Sequence, residues 1–468
     1  MERDAAAITF GTDGWRATLS EFTTPRVRMV GQAVATFLND RAVSGPVAVG
    51  YDARDTSRGF AEELARVLAA NGRDVTIADR DCPTPTLAWT VATGEFVGGL
   101  MVTASHNPPE YNGVKYVTGD GAPALPDVTD ELQERLASPS TAAEYGTITE
   151  ADVLGPYVDG VQEFVDRQVG GLDLDGMRVA YDAMHGSGRG VTDTALSEVG
   201  ATVVRVRCDR DPDFGGVPPE PGPETAGEVI ERVRAGEADI GFVNDGDADR
   251  VGIVTPERGY LDPNLVLAAL YEFLLEEDSG SVVRTVSTSS LVDRVARAAG
   301  EDVHETAVGF KWIAAAMAAH ETLAGGEESG GYGVTDHLRN KDGILSALLA
   351  CAAASEQPLD ARLDALLAEY GGIQQGRQSV NCPDRAKAGV LDAVDGALSE
   401  TFAGVDVERV TTIDGFKIQL EDGTWVLVRP SGTEPKLRIY AEADEESRVE
   451  ELLDAGQNLL EPLISESV

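Results

Sequence analysis

The 468-residue sequence predicts a multi-domain α/β protein that ends in a smaller α+β domain. Three observations lead there. Strand and helix patterns alternate through most of the chain, as they do where helices cover both faces of a largely parallel sheet. The last hundred residues switch to strands joined by short turns. The length, at ~150 residues per domain, suggests about three domains.

The first alternating series has a strand at Pro46–Tyr51, a helix over Arg58–Asn71, a strand at Asp74–Ala78 and a helix over Pro85–Val91. It closes on an apolar strand, Phe96–Ala104, that runs into a loop. The second series starts at Met177–Tyr181, carries helix signals after Gly190 and over Glu224–Ala235, and ends on the apolar run Ile240–Val243. The third runs from Ser281–Ser287 through helices near Leu291–Ala299 and Lys311–His320 to the loop at Gly325. Strands at Val405–Thr412, Phe416–Leu420, Trp425–Val428 and Leu437–Ala441 then follow one another, flanked by helices over Ala386–Leu398 and Glu445–Leu460. That order implies an antiparallel sheet. We place domains at 1–155, 156–256, 257–370 and 371–468.

Asp and Glu number 80 against 38 Lys and Arg, a net charge of −42. Such a surface repels nucleic acid and anionic membranes, and we expect neither as a partner. At about 1 M salt the Debye length falls to about 3 Å and the repulsion is screened, so this balance resembles that of proteins from salt-loving microbes. The four cysteines are scattered without a Cys-x-x-Cys pair, and no signal-peptide pattern opens the chain. The apolar stretches near Leu265–Leu275 and Ile344–Ala354 are too short to span a bilayer and read as buried helices. A soluble cytoplasmic protein, monomer or homodimer, is the expectation.

Chemistry concentrates in a few loops. Asn244-Asp245-Gly246-Asp247-Ala248-Asp249-Arg250 sets three carboxylates at alternate positions just beyond a strand. Crowded like charges call for a cation, and hard oxygen ligands suit Mg²⁺, or Mn²⁺ or Ca²⁺, rather than zinc. An EF-hand is excluded, since Arg250 and Pro256 stand where its Gly and Glu belong. Thr103-Ala104-Ser105-His106-Asn107-Pro108-Pro109 lies at the carboxyl end of a strand, the edge where open α/β sheets bind ligands. No Gly-x-Ser-x-Gly elbow is present, which argues against a serine hydrolase. A serine that carries a phosphoryl group is the better companion for a magnesium site.

Gly325-Gly326-Glu327-Glu328-Ser329-Gly330-Gly331 offers carboxylates and a hydroxyl on a glycine-rich loop, groups suited to sugar hydroxyls. Arg429-Pro430-Ser431-Gly432-Thr433-Glu434-Pro435-Lys436 joins two strands, and its hydroxyls, backbone N–H groups and Arg429 form an anion cradle. Lys436 and Arg438 fall on one face of the next strand. Phe10-Gly11-Thr12-Asp13-Gly14-Trp15-Arg16 adds a glycine loop with an arginine, and the glycine-rich run 182–190 reads as a tight turn.

In this order the loops resemble those of the α-D-phosphohexomutase superfamily, over essentially the whole chain. The resemblance implies four domains around a central cleft: three αβα sandwiches and a smaller C-terminal α+β domain. It implies that Ser105 is phosphorylated and that Asp245, Asp247 and Asp249 bind Mg²⁺ together with a phosphoserine oxygen. The enzyme would pass its phosphoryl group to a hexose phosphate, giving a hexose 1,6-bisphosphate that reorients and returns the other group. Arg16, Lys115 and Arg250 would steady transition-state charge, and His106, Lys115 and His337 are candidate acid–base groups. Glu327 and Ser329, with Lys311, would hold the sugar. Arg429, Ser431, Gly432, Thr433, Lys436 and Arg438 would hold the distal phosphate.

Gly331 stands where phosphomannomutase-type members carry His, and Glu328 where phosphoglucosamine-type members carry Gln. Val308–Trp312 and Thr335–Gly343 resemble the phosphoglucomutase pattern. The expectation is therefore a phosphoglucomutase acting on glucose 1-phosphate and glucose 6-phosphate. Phosphomannomutase, dual-specificity and phosphoglucosamine mutase readings are the alternatives, followed by a silent sugar-phosphate-binding protein and a phosphatase.

Overall fold

A computed structural model describes residues 2–11, 13–431 and 434–467. Its strands form separate sheets, and the first three share one plan. In the first, Val47–Tyr51 lies parallel to both Val75–Ala78 and Gly98–Val102, and Tyr111–Thr118 folds back antiparallel on Gly98–Val102. In the second, Arg178–Asp182 lies parallel to Thr202–Val206 and Ile240–Asn244, and Val251–Thr255 folds back on the latter. In the third, Ser281–Thr285 lies parallel to Val303–Thr306 and Thr322–Gly326, and Tyr332–Val334 folds back.

The plan positions the chemistry. Each chemical loop of these three units joins the last parallel strand to its antiparallel partner: Ser105 in the first, Asp245–Asp249 in the second, Glu327–Ser329 in the third. All three therefore leave the carboxyl end of a buried parallel strand, where the sheet's backbone pairing stops and side chains are free to converge. The buried strands Val47–Tyr51 and Ile240–Asn244 read as apolar runs because helices cover both faces.

The fourth sheet is antiparallel over the pairs Gln374–Asn381/Lys436–Ala443, Trp425–Pro430/Lys436–Ala443 and Phe416–Leu420/Trp425–Pro430. Helices Asp384–Ala397 and Glu446–Ser467 accompany it. Its apolar residues, from Val380 to Leu460, form their own core, whereas one continuous core runs through the first three units from Ile8 to Leu366. The fold is thus three α/β/α domains and a C-terminal domain. The fourth docks on the third through Trp425 and Leu427 against Val286. Buried Lys417 reinforces that contact by donating to Val286 O (2.8 Å) and Glu305 (2.7 Å).

Pro263–Leu274 and Gly343–Glu356 are buried helices, the latter capped by Asp342, whose carboxylate accepts from Ile344 and Leu345 N–H. Among the described residues no helix is long and apolar enough to cross a membrane.

Candidate active site

Ser105 is fully buried and adopts a left-handed backbone (φ 53°), as does Ala248 in the acidic loop (φ 53°). Non-glycine residues rarely hold that conformation, and it marks places where surroundings dictate the backbone. The two loops touch. A Cβ on Gly246 would lie 2.7 Å from Ser105 O, so only glycine allows the approach. The Ser105 hydroxyl donates to Asp245 Oδ2 at 2.8 Å, and His106 Nδ1 lies 3.3 Å from Ser105 Oγ.

The three aspartates are wholly buried, and one carboxylate oxygen from each lies within 4.8 Å of the others. Asp247 accepts from Thr84 Oγ1 (2.6 Å) and Lys115 Nζ (2.9 Å), and Asp249 from Lys115 Nζ (2.9 Å), all on Oδ2. The Oδ1 atoms of Asp247 and Asp249 are buried without a hydrogen-bond partner among the described residues. Burial and the neighbouring Asp247 and Asp249 push the Asp245 carboxyl well above the usual range. Orphaned hard oxygens and a carboxyl that resists ionising are what a missing divalent cation relieves. The donor set fits Mg²⁺.

Cations ring this cluster. Lys115 lies 2.9 Å from Asp13, Asp247 and Asp249; burial opposes its charge, but these carboxylates outweigh burial and hold it well above the normal lysine range. Lys341 sits 3.1 Å from Asp249 and 3.8 Å from Asp13. Arg16 pairs with Asp13 (2.9 Å) and donates to Asn107 Oδ1 (3.3 Å). Arg250 N donates to Asp245 Oδ1 at 3.1 Å. Burial, Arg250 and Arg16 depress His106 to about 2, so its imidazole is neutral.

A cavity of about 400 Å³ opens beside the serine, lined among others by Arg16, His106, Arg250, Lys311, Glu327, Ser329 and Lys341. Glu327 accepts from Gly309 N (3.0 Å), and burial raises its carboxyl. Burial lowers Lys311. The expected serine, metal and sugar loops therefore meet at one cavity.

Among the described residues, none of the C-terminal loop lines it. Arg429 donates to Asp414 at 2.7 Å, and Asp414 also accepts from Val308 N (3.0 Å) in the third domain. Lys436 pairs with Glu434 at 2.9 Å, and Arg438 reaches the same carboxylate at 3.5 Å. Ser431 is buried and its hydroxyl accepts from Glu434 N (3.2 Å). Gly432 and Thr433 lie outside the described residues.

His337 requires correction as an acid–base candidate. Its ring is buried 5.2 Å from Phe164, with Nε2 3.2 Å from Asp342, and it does not line the cavity. It braces the Asp342 cap against helix Leu154–Val169. Sequence reasoning missed Asp13, Thr84 and Lys341 as site residues. Lys341 alone left a signal, in the run Arg339-Asn340-Lys341-Asp342-Gly343.

Comparison with known proteins places these features. Family models for phosphoglucomutase/phosphomannomutase match in order: α/β/α domain I at 7–143, domain II at 155–259, domain III at 262–370 and the C-terminal domain at 379–456. A probable phosphoglucosamine mutase of Methanopyrus kandleri is 36% identical over 98% of both chains. Two Thermococcus kodakarensis proteins are each 32% identical: a phosphopentomutase (98% of this chain, 99% of that one) and a phosphoglucomutase/phosphomannomutase (97% and 98%). A Burkholderia thailandensis protein of the phosphoglucomutase/phosphomannomutase family shares the fold, with a TM-score of 0.85 over 98% of both chains at 23% identity.

Proposed function

Because this chain belongs to the phosphoglucomutase/phosphomannomutase family, and so is a phosphohexomutase-type enzyme, we propose that it interconverts glucose 1-phosphate and glucose 6-phosphate. The observation that carries the mutase reading is the Ser105 hydroxyl, 2.8 Å from Asp245 in a buried acidic cluster whose neighbours His106 and Arg250 line one cavity with Glu327 and Ser329.

Ser105 is the phosphoryl carrier. In the first half-reaction its O–P bond breaks as a bond forms to the free hydroxyl of the sugar phosphate, giving a hexose 1,6-bisphosphate. In the second, the reoriented intermediate returns its other phosphoryl group to Ser105. Asp245, Asp247 and Asp249 would hold Mg²⁺ with an oxygen of the phosphoserine; bound there, the ion offsets phosphoryl charge and aligns the group for in-line transfer. Lys115, held cationic by its carboxylates, adds fixed positive charge beside the transferring group. Neutral His106, 3.3 Å from the serine oxygen, takes the proton of the attacking sugar hydroxyl and hands it to Ser105 Oγ as the O–P bond breaks, and the return transfer runs that proton the other way. Glu327 and Ser329 orient sugar hydroxyls, and Lys311 and Arg250 steady the ligand. Arg429, Ser431, Lys436 and Arg438, with Gly432 and Thr433, grip the distal phosphate. Closure over the cavity excludes water, which would otherwise turn the mutase into a phosphatase.

A second reading is phosphoglucosamine mutase. Two carboxylates, Glu327 and Glu328, line the cavity, and a protonated amine suits them. Glu328, however, already accepts from Ser287 Oγ (2.7 Å) and Thr285 Oγ1 (3.1 Å), which ties it to its own domain. Turnover of glucose, glucosamine and mannose 1-phosphates with bisphosphate activator decides between the readings. A glucosamine or mannose substrate favoured by more than about tenfold, ~1.4 kcal/mol in the barrier, overturns the glucose assignment.

A further inference from the structure

Arg54 lies outside every loop to which the chemistry was assigned. It follows strand Val47–Tyr51, and its side chain is 1% exposed. A guanidinium has five N–H donors in a rigid planar fork. Here every donor nitrogen is engaged: Nε donates to Asp52 Oδ2 (3.0 Å), Nη1 to Pro108 O (2.6 Å) and Tyr111 O (3.2 Å), and Nη2 to Ser105 O (2.8 Å) and Asn107 O (2.6 Å). One side chain therefore gathers carbonyls along the whole serine loop.

The fork is itself held. Asp52 also accepts from Ser57 Oγ (2.6 Å), Thr103 Oγ1 (2.7 Å) and Arg54 N (3.1 Å). Thr103 Oγ1 in turn accepts from Ser105 N at 2.8 Å. The guanidinium carbon stands 4.8 Å from the centre of the Phe214 ring, which comes from the second domain, so the clamp is packed where the serine loop meets the acidic-loop domain.

Resting on the reading that Ser105 carries the phosphoryl group, we propose that Arg54 is a positioning residue for the transfer. It holds the loop's carbonyls on one side and so keeps the left-handed Ser105, with its Oγ against Asp245, in place as the loop alternates between a neutral hydroxyl and a charged phosphoester. Lysine cannot substitute, because a point charge with three donors cannot span these acceptors in one plane.

The test uses the full chain with Mg²⁺. Phosphorylation of Ser105 by glucose 1,6-bisphosphate is followed by intact mass, and turnover of glucose 1-phosphate by steady-state kinetics, for wild type, Arg54→Lys and Arg54→Ala. Arg54→Lys is expected to slow phosphorylation and kcat by about a hundredfold, the scale of an ångström's misplacement, with KM within about threefold. Millimolar guanidinium is expected to restore part of the activity of Arg54→Ala, and equal ammonium is not. Arg54→Lys within about threefold of wild type in both rates, or Arg54→Ala indifferent to guanidinium, overturns the proposal. Should both variants fail to fold by circular dichroism, Ser57→Ala, which removes a hydroxyl that meets the clamp through Asp52 and Asn112, replaces them. A reduced kcat at constant KM then supports the clamp, and an unchanged kcat overturns it. A wild-type chain that never gains a phosphoryl group overturns the mutase reading itself, and Arg54's role with it.

Discussion

Replacing Lys115 by Met should make the protein's stability depend on Mg²⁺ far more than it does in the wild type. The Lys115 side chain is 6% exposed and its ammonium lies 2.9 Å from each of Asp13, Asp247 and Asp249. It is the internal counter-charge of the acidic cluster. Methionine keeps the apolar stem's volume and removes the charge. Taking one partner from a buried ion pair costs about 3–5 kcal/mol, because the remaining charge is left uncompensated. At about 2.1 cal/mol/K of unfolding entropy per residue a chain of 468 residues shifts by roughly 1 °C per kcal/mol, so the melting temperature in EDTA falls by about 3–5 °C. A divalent cation supplies the lost charge at the same cluster. At a hundred times its dissociation constant a ligand adds about 2.7 kcal/mol, and the variant, freed of a competing ammonium, binds the ion more tightly than the wild type. The Mg²⁺-induced rise in melting temperature is thus expected to be larger in Lys115→Met than in wild type, measured by scanning calorimetry in EDTA and in Mg²⁺. An equal or smaller rise refutes the view that Lys115 and the ion share one electrostatic task.

Glu305 gives a stability prediction with a defined pH window. Burial raises its carboxyl, but Arg284 and Lys417 outweigh burial and bring it to about 2. A depressed folded-state value contributes stability above the unfolded value near 4.5 that is lost as pH falls towards 2. Glu305→Gln should remove up to about 3 kcal/mol of that pH dependence, read from urea midpoints across the window. Arg429→Gln should raise KM for the sugar phosphate by roughly 10–150-fold with little change in kcat, the worth of one charged hydrogen bond of ~1.5–3 kcal/mol. With a net charge of −42, activity should climb from dilute buffer to molar KCl as screening lets a dianionic substrate approach; a maximum in dilute buffer contradicts this.

The loops were legible because their chemistry is local. Alternating aspartates and a proline-bounded serine each stand out within a few residues, and the structure brings those two loops into contact. What the sequence hid is contact across the chain. Asp13 and Lys341 reach the acidic cluster from the first and third domains, and nothing in their own neighbourhoods encodes that meeting. His337 misled for the same reason, since its burial is set by Phe164 on a distant helix. Among strands, Val47–Tyr51 and Ile240–Asn244 read plainly as apolar runs. Gln374–Asn381 did not, because this sheet-edge strand is largely polar and its pairing with Lys436–Ala443 comes from far along the chain. The hairpin that ends the third sheet escaped notice too, since its second strand, Tyr332–Val334, is only three residues long.

The central claim is that Ser105 gives its phosphoryl group to one end of a sugar phosphate and takes back the group from the other end. The most direct measurement is intact mass of wild type and Ser105→Ala after incubation with glucose 1,6-bisphosphate and Mg²⁺, followed by a chase with glucose 1-phosphate. The account predicts that the wild type gains a single phosphoryl group, mapped to Ser105, and that the chase exchanges it without releasing inorganic phosphate, while Ser105→Ala gains none. Uptake by Ser105→Ala equal to that of wild type, or a chase that yields only inorganic phosphate, contradicts it.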